Sequence, residues 1–396
     1  MEIADHPSLY AAFDTFPSAK GAATHIRHAA PVLFERLGGG LLYVLGDDEL
    51  PAFQREDNGV EILRFRRPFP NFLERAIAFR RQLASITERL PNLRLAQFRD
   101  PWSGMALLSR RSPGGSSPYC RLIYEVNGLP SIELPHHFDL GESTVTKLRS
   151  EEERCWTEAD HVVTPSEVLR ENLVALGAPA EKITVVPNGA DPPPDGPRPP
   201  GAPSSPYLIY FGALQAWQGV DGLLRAFALL RDLDLGLVIC SSVKASRAKP
   251  LRKLAERLEI ADRVVWQYRL RAQELGPWLR HAELSVAPLT ECARNLEQGC
   301  CPLKILESMA AGIPLVASDL QVVREITGDD MARLVRPDRP SELARAIRVL
   351  LEYPEERQRM ANRARQHLEA SLTWRHSQDR LRAVYDKVLA DQGDER

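Results

Sequence analysis

A proline-rich segment near the middle of the chain limits the folds that the sequence can adopt. Nine of the twenty residues from Pro187 to Pro206 are proline. Proline lacks a backbone N–H and has a fixed φ, so this segment is predicted to be an extended connector rather than a helix or an inner strand. The 396 residues also exceed what one hydrophobic core usually organises. Two domains are therefore predicted, one on each side of the connector.

Short apolar segments alternate with helical patterns on both sides of this connector. Such alternation is typical of an α/β fold, in which helices cover a parallel sheet. The predicted strands are 8–16, 40–46, 60–65, 93–98, 119–126, 161–164 and 183–187 before the connector, and 207–214, 235–242, 263–268, 284–289, 314–319 and 332–336 after it. The spacing of Gly212 and Gly219 does not fit G-x-G-x-x-G, which disfavours a nicotinamide-dependent dehydrogenase.

Composition excludes several classes of function. A net charge of −2 gives no reason to expect nucleic acid as a partner. The sequence has no apolar run long enough for a transmembrane helix, and its start lacks the pattern of a signal peptide. Six cysteines without metal-type spacing predict a reduced, cytoplasmic protein with no metal site.

The region from Arg64 to Arg111 has an unusual charge balance, with eleven arginines and three acidic residues. A solvated face is the default interpretation of such a run. An anionic acceptor, or peripheral contact with the inner membrane surface through lipid head groups, is the alternative.

Residues 295–319, NLEQGCCPLKILESMAAGIPLVASD, combine a polar loop, a helix and an apolar strand. Pro302 suits the first helical turn and Gly312 the helix end. A helix start presents free N–H groups to anions, above all phosphate, and Lys304 adds a positive charge there. Glu307, one turn further on, is placed to accept hydrogen bonds from sugar hydroxyls. Taken alone, Lys304 and Glu307 would fit an ordinary surface pair equally well.

In residue order, ILESMAAGIPLVASD resembles the nucleotide-sugar-binding segment of the retaining family-4 glycosyltransferases, also called glycosyl transferases group 1. The resemblance implies the GT-B fold, which has two Rossmann-like domains with a cleft between them and a C-terminal crossover helix. It implies an acceptor-binding domain at 1–190, a linker at 191–206 and a donor-binding domain at 207–372. A helix at about 373–391 is expected to pack back on the first domain.

The same resemblance implies a reaction. A hexosyl group would pass from a nucleoside-diphosphate sugar, such as a UDP-sugar, to a hydroxyl of a glycan, lipid or small-molecule acceptor, with retention of configuration. No metal or other cofactor is expected. Two alternatives remain: a sugar-nucleotide epimerase or phosphorylase of the same fold, and a non-catalytic relative that binds nucleotide sugar.

Site residues carry over from the resembled family position by position. Glu307 matches the glutamate that holds the donor ribose, and Leu303 and Lys304 lie at the helix start that holds the diphosphate. Gly21 matches the glycine of the first-domain loop. The other expected donor-binding positions are Gly212, Gln218 and Gly299. The family usually has an arginine and a lysine where this chain has Ala213 and Gln218; Lys304 is expected to supply the charge, with Lys244 as the alternative.

The expected catalytic positions are Asn127 and Glu297. Asn127 stands where the resembled enzymes often have a histidine that faces the transferred sugar. Gly299 stands where they commonly have a second glutamate, so Glu297, or Glu291 farther away, is expected to substitute for it. The expected acceptor-binding residues are His25, on the first helix, and Glu133 and His137, in a segment predicted to be a loop; for His25 a capping or packing role is equally compatible with the sequence.

Overall fold

The computed structural model describes residues 3–47, 49–111 and 120–390. The chain forms two compact units, each with the predicted α/β architecture. The first unit takes in the chain up to Ser18, residues 22–187, and the chain from Gln378 onward, and the second takes in 19–21 and 188–377. Tyr119, where a strand is predicted to begin, and residue 391, the predicted end of the tail helix, lie outside the described residues.

The first unit contains an eight-stranded sheet in the order β3-β4-β2-β1-β5-β6-β7-β8. All neighbours are parallel except the antiparallel pair β3 and β4. The strands are β1 (Ser8–Thr15), β2 (Gly40–Leu45), β3 (Phe53–Arg55), β4 (Val60–Phe65), β5 (Leu95–Phe98), β6 (Arg121–Glu125), β7 (His161–Thr164) and β8 (Ile183–Val185). The helices are α1 (Gly21–Leu37), α2 (Phe72–Thr87), α3 (Pro101–Leu108), α4 (Pro130–Glu133), α5 (Glu142–Glu158) and α6 (Glu167–Ala175).

The second unit contains a six-stranded, fully parallel sheet in the order β11-β10-β9-β12-β13-β14. Its strands are β9 (Tyr207–Gly212), β10 (Gly236–Ser241), β11 (Val264–Tyr268), β12 (Leu284–Ala287), β13 (Leu315–Ser318) and β14 (Arg333–Val335). Its helices are α7 (Val220–Ala228), α8 (Lys249–Arg257), α9 (Ala272–Arg280), α10 (Leu303–Ala311), α11 (Gln321–Arg324), α12 (Pro340–Glu352) and α13 (Pro354–Ser371).

Each sheet reverses its strand order at one point. In the first unit the reversal lies between β1 and β5, and in the second it lies between β9 and β12. In open parallel sheets, ligands bind outside the carboxyl ends of the strands at this reversal. The residues just after β1, β5 and β9 are therefore expected to lie near a bound ligand.

The last helix, α14 (Trp374–Ala390), begins in the second unit and belongs to the first from Gln378 onward. Its apolar stripe is buried in the core of the first unit, through Leu381, Val384, Tyr385 and Val388. No helix among the described residues combines the length and apolarity needed to cross a membrane.

Several local features differ from the sequence predictions. The edge strand β3 and the helix α13 were not predicted. Pro302 is the N-cap of α10 rather than its first helical residue. Residues 187–206, all of them described, hold no helix or strand, as the proline content predicts.

Candidate functional site

Two glycines shape the loop that follows β9. Gly212 ends the strand at φ +124° and Gly219 precedes α7 at φ +67°, conformations that side-chain-bearing residues rarely adopt. A Cβ on Gly219 would lie 1.8 Å from the carbonyl oxygen of Pro288, just beyond β12. Gly219 therefore lets the loop after β9 lie directly against the end of β12, at the strand-order reversal.

Lys304 reaches this loop from α10. Its side chain is buried, and Nζ donates a hydrogen bond to the Tyr210 hydroxyl at 3.1 Å and another to the side-chain oxygen of Gln218. The ammonium also lies 4.3 Å from the centroid of the Tyr210 ring. A Cβ on Gly212 would lie 3.7 Å from Nζ. Lys304 thus contacts the loop after β9 from α10 and is not a surface residue.

Burial sets the protonation behaviour of Lys304 and Glu307. Burial disfavours the charged form of each group, lowering the pKa of Lys304 to about 7 and raising the pKa of Glu307 to about 7. Each charge partly stabilises the other. Glu307 is half-buried, and within the described part of the chain its carboxylate accepts no hydrogen bond. The carboxylate therefore has acceptor capacity left for a bound hydroxyl.

Arg294 contributes a second positive charge that sequence reasoning missed. It opens a π-helical turn, Arg294–Gln298, in the loop leading to α10. Its guanidinium carbon lies 5.9 Å from the centroid of the Trp217 ring, and its charge contributes to the low pKa of Lys304. Asn295 fixes this turn by donating to the carbonyl oxygen of Trp217 at 3.1 Å. The turn depends on these contacts, so a local sequence pattern could not predict it.

The remaining predicted residues of this region occupy different surroundings. Glu297 is exposed on the π-helical turn, and Gly299 follows the turn at φ +78°. Leu303 is half-buried, and its Cδ1 lies 3.0 Å from the position of a Cβ on Gly21, which the packing assigns to the second unit. Lys244 is exposed, in contrast to Lys304.

In the first unit, Glu125 at the end of β6 is the centre of a buried hydrogen-bond network. It accepts from the Tyr10 hydroxyl at 2.6 Å, from Gln97 Nε2 at 2.5 Å and from Arg99 Nε at 2.9 Å. The side-chain amide of Asn127 also donates to it, and His25 Nε2 lies 2.7 Å from Oε1. Three strands, β1, β5 and β6, and the helix α1 therefore converge on one carboxylate.

The charges around Glu125 keep it ionised. Burial by itself would raise its pKa, but the charges of His25 and Arg99 and the hydrogen bonds to the carboxylate lower the pKa far below the usual value. Arg99 is also paired with Asp14, at 2.9 Å. Asn127, a predicted catalytic residue, is thus oriented by a permanent negative charge, and His25, a predicted acceptor-binding residue, is buried against the same charge.

Glu133 and His137 lie in a segment that was predicted to be a loop, and this prediction is wrong. The segment is helical, with α4 followed by the 3₁₀ turn Leu134–His136. The side chain of Ser131 donates to the buried Glu152 at 2.6 Å, and this bond fixes α4 on α5. Glu133 is half-buried and His137 is exposed. Among residues 3–47, 49–111 and 120–390, no three His, Cys, Asp or Glu side chains form a group that could hold a metal ion.

Comparisons with known proteins match both halves of the chain. The family model described as Glycosyltransferase Family 4 matches residues 19–193, and the model described as Glycosyl transferases group 1 matches residues 198–367. The MMP alpha-(1->4)-mannosyltransferase of Mycolicibacterium hassiacum is 33% identical over 215 residues, which cover 53% of this chain and 49% of that protein. The chain spans about half the length of the curated relatives that it matches.

Two solved structures show the same fold over nearly the whole chain. Sucrose-phosphate synthase from Thermosynechococcus elongatus aligns with a TM-score of 0.79 at 15% identity, covering 97% of this chain and 100% of that one. Anabaena Alr3699/HepE, in complex with UDP-glucose, aligns with a TM-score of 0.74 at 17% identity, covering 96% of this chain and 100% of that one. At such identities the likeness concerns the fold alone.

Proposed function

The chain belongs to the family-4 glycosyltransferases and has their GT-B fold, and we propose that it moves a hexosyl group from a nucleoside-diphosphate sugar to an acceptor hydroxyl with retention of configuration. The second unit would bind the donor and the first unit the acceptor. A UDP-sugar is the proposed donor, because the structurally similar Anabaena Alr3699/HepE was solved in complex with UDP-glucose. The proposed place of action is the cytoplasm.

The observation that carries this proposal is the arrangement of Lys304, Gln218 and Glu307 at the carboxyl end of β9. A diphosphate placed beside Lys304 would replace the side-chain oxygen of Gln218 as the hydrogen-bond acceptor of Nζ. The unbonded carboxylate of Glu307, one turn along α10, would then accept the ribose hydroxyls. Arg294, whose charge acts on Lys304, would supply the second cation that Ala213 and Gln218 do not provide.

The proposed chemistry depends on stabilising charge. When the glycosidic bond to the diphosphate breaks, negative charge develops on the leaving group, and preorganised cations beside it lower the barrier. The departing diphosphate would help to deprotonate the acceptor hydroxyl on the same face of the sugar. In the first unit, Asn127 would hydrogen-bond the transferred sugar, with Glu125 fixing its amide. No step of this scheme calls for a metal, so transfer is expected to persist in EDTA.

A thermal-shift titration with UDP, GDP and ADP tests donor binding directly. A nucleotide at about 100 times its Kd stabilises the folded state by about 2.7 kcal/mol and raises the Tm of the unit that binds it. Glu307→Gln is expected to reduce this shift, because the neutral amide accepts ribose hydroxyls less strongly than a carboxylate does. Glu256→Gln, at an exposed position of α8, serves as the matched control and should leave the shift unchanged.

Product analysis distinguishes the proposed function from its alternatives. Incubation with the donor that binds best, with and without a pool of hydroxyl acceptors, should give an acceptor-dependent glycoside. Conversion of the donor sugar without an acceptor would identify an epimerase, and binding without turnover would identify a non-catalytic relative. Failure of every nucleoside diphosphate to bind would refute the proposal.

A further inference from the structure

Arg75 is a half-buried arginine in the first turn of α2, close to the end of β1. Its guanidinium carbon lies 6.0 Å from the centroid of the Phe13 ring. In the described residues (3–47, 49–111 and 120–390), no carboxylate, carbonyl or hydroxyl accepts a hydrogen bond from this guanidinium, and its Nε is fully covered. Burial alone accounts for a lowered pKa of Arg75, with no contribution from a neighbouring acidic group.

Other covered arginines of the same unit are compensated. Arg64 donates to the carbonyl oxygens of Phe16 and Pro51, and Arg99 is paired with Glu125 and Asp14. Arg75 is half-buried and its Nε is covered, so part of its charge is removed from water without an acidic partner, and an external anion would offset that cost. The position adds to this cost, because the N-terminal turn of a helix already carries a partial positive charge. Glu74 is adjacent in sequence but does not share a helix face with Arg75.

The surroundings of Arg75 are aromatic. The Phe13 ring lies 5.5 Å from that of Phe72 and 5.1 Å from that of Trp102, and the Phe72 ring lies 5.5 Å from that of Phe138. Phe138 is 42% exposed, and Phe13 and Phe72 are half-buried. Arg75, Phe13, Phe72 and Phe138 are named the Arg75 patch below. An aromatic surface of this kind suits the apolar face of a sugar or polyol ring, and the guanidinium suits a planar pair of anionic oxygens.

The Arg75 patch lies at the strand-order reversal of the first unit. Phe13 is near the end of β1, and its backbone N–H donates to Asp100 at 2.7 Å, just beyond β5. The next residue, Asp14, is paired with Arg99, which in turn holds Glu125. The patch therefore adjoins the network that orients Asn127, at the strand-order reversal where open parallel sheets bind their ligands.

We propose that the Arg75 patch binds an anionic group, a phosphate or carboxylate, carried by the acceptor, so that the acceptor is an anionic sugar or polyol. This inference rests on the proposed glycosyl transfer and names the class of its second substrate. Arg75 would form a bidentate pair with the anion, and the Phe13 ring would support the carbon skeleton that carries it. The hydroxyl to be glycosylated would then be held near Asn127.

Matched pairs of acceptors test the proposal. Transfer from the donor to inositol 3-phosphate, glucose 6-phosphate and glucuronate is compared with transfer to inositol and glucose, in the wild type and in Arg75→Gln, Arg75→Lys and Arg81→Gln. Arg81 is an exposed arginine of the same helix and provides the control. The wild type should prefer one of the anionic acceptors. Arg75→Gln should raise the KM for that acceptor roughly 10- to 100-fold, which is the range for hydrogen bonds to a charged group.

The variants distinguish binding from a structural role. Arg75→Lys should bind the anionic acceptor more tightly than Arg75→Gln and less tightly than the wild type. Lysine keeps the positive charge but lacks the planar guanidinium that forms a bidentate pair. Arg75→Gln should melt at the same temperature as the wild type or above it, since it removes a half-buried charge that has no acidic partner; a structural arginine would lower the Tm. Arg81→Gln should leave the KM unchanged.

Isothermal titration with inositol 3-phosphate and with inorganic phosphate measures the anion site without donor turnover. Equal affinity of wild type and Arg75→Gln for both probes, or equal use of anionic and neutral acceptors, would overturn the inference and leave the proposed transfer intact. Absence of nucleotide binding, with anion binding that depends on Arg75, would instead count against the transfer and support the anion site.

Discussion

Lys304 is buried, and the proposed function requires it to be charged in order to hold a diphosphate; these two requirements oppose each other. Burial lowers its pKa to about 7, while the Glu307 carboxylate acts in the opposite direction. A diphosphate bound beside Nζ would raise the pKa of the lysine again. Nucleotide binding should therefore be linked to uptake of a proton by Lys304 at pH values above about 7.

We expect the affinity for UDP to fall as the pH rises from 7 to 9. The diphosphate is almost fully ionised over this range, because its last pKa lies near 6. The lysine must gain a proton on binding, so Kd should increase by up to about tenfold per pH unit. Titration calorimetry in two buffers of different ionisation enthalpy measures both the Kd and the proton uptake.

Glu307→Gln provides the control for this pH dependence. Removing the carboxylate takes away the charge that raises the pKa of Lys304, so the decline in affinity should begin at a lower pH than in the wild type. A Kd that stays constant from pH 7 to 9 in both proteins would contradict the assignment of Lys304 to the diphosphate.

The residues of the candidate site could be predicted from the sequence only in part. Lys304 and Glu307 were singled out because they lie in one continuous segment with a recognisable order. Glu125, on β6, was not, although its partners Tyr10, Gln97 and Arg99 lie on β1, on β5 and just after β5. No local pattern reveals a network of this kind, because it exists only once β1, β5 and β6 are paired. Arg75 was likewise one of eleven arginines, and only the structure shows that no acidic group or hydrogen-bond acceptor among the described residues pairs with it.

At the scale of elements, the loop between β9 and α7 depends on one glycine. Gly219→Ala places a Cβ 1.8 Å from the Pro288 carbonyl oxygen and in a left-handed conformation. The backbone strain costs about 1–2 kcal/mol and the overpacking a further 1–3 kcal/mol, roughly. We therefore expect a marked loss in the free energy of unfolding, together with weaker UDP binding, because the loop carries Gln218.

Gly222→Ala, three residues further on and in the first turn of α7, is the matched control. A Cβ there meets nothing within 4 Å, and alanine favours the helical conformation over glycine by roughly 0.5–1 kcal/mol. This variant should be as stable as the wild type or slightly more so, with unchanged UDP affinity. Urea denaturation of the two variants checks both expectations, and equal stability would show that the loop after β9 tolerates displacement.

The elements themselves were predicted well where apolar runs and breakers agree, as in β2 and β4. Errors arose where contacts between residues distant in sequence determine the local backbone conformation. The segment 131–138 contains one proline and two histidines, which suggested a loop, but Leu134 is buried and Ser131 is bonded to Glu152, and these contacts favour helical turns. The strand β3 is three residues long and pairs only with β4, so it has too few residues to show a period.

At the scale of the whole molecule, the first strand and first helix share one hydrophobic core with the last helix, α14. The α14 residues Leu381, Val384 and Tyr385 share a core with Tyr10 of β1 and Ile26 of α1. The apolar spacing in the tail predicts a buried helix, but the sequence does not reveal which residues cover it. Tyr385 shows the consequence: its hydroxyl donates to Gln97 Oε1 at 2.5 Å, and the other end of that amide donates to Glu125.

Tyr385→Phe removes this connection between the tail helix and the buried network. Both side chains are fully buried, so the Gln97 oxygen would lose its donor without access to water, at a cost of about 1–3 kcal/mol. Gln97 would also lose the bond that fixes the direction of its amide towards Glu125. We expect the urea midpoint of the first unit to fall and kcat to decrease with little change in the KM for the donor, since the proposed donor site lies in the second unit. Tyr353→Phe, at a tyrosine that is 57% exposed, is the control and should change neither quantity. If Tyr385→Phe lowered stability but left kcat untouched, α14 would support the fold of the first unit without orienting Glu125 and Asn127 for catalysis.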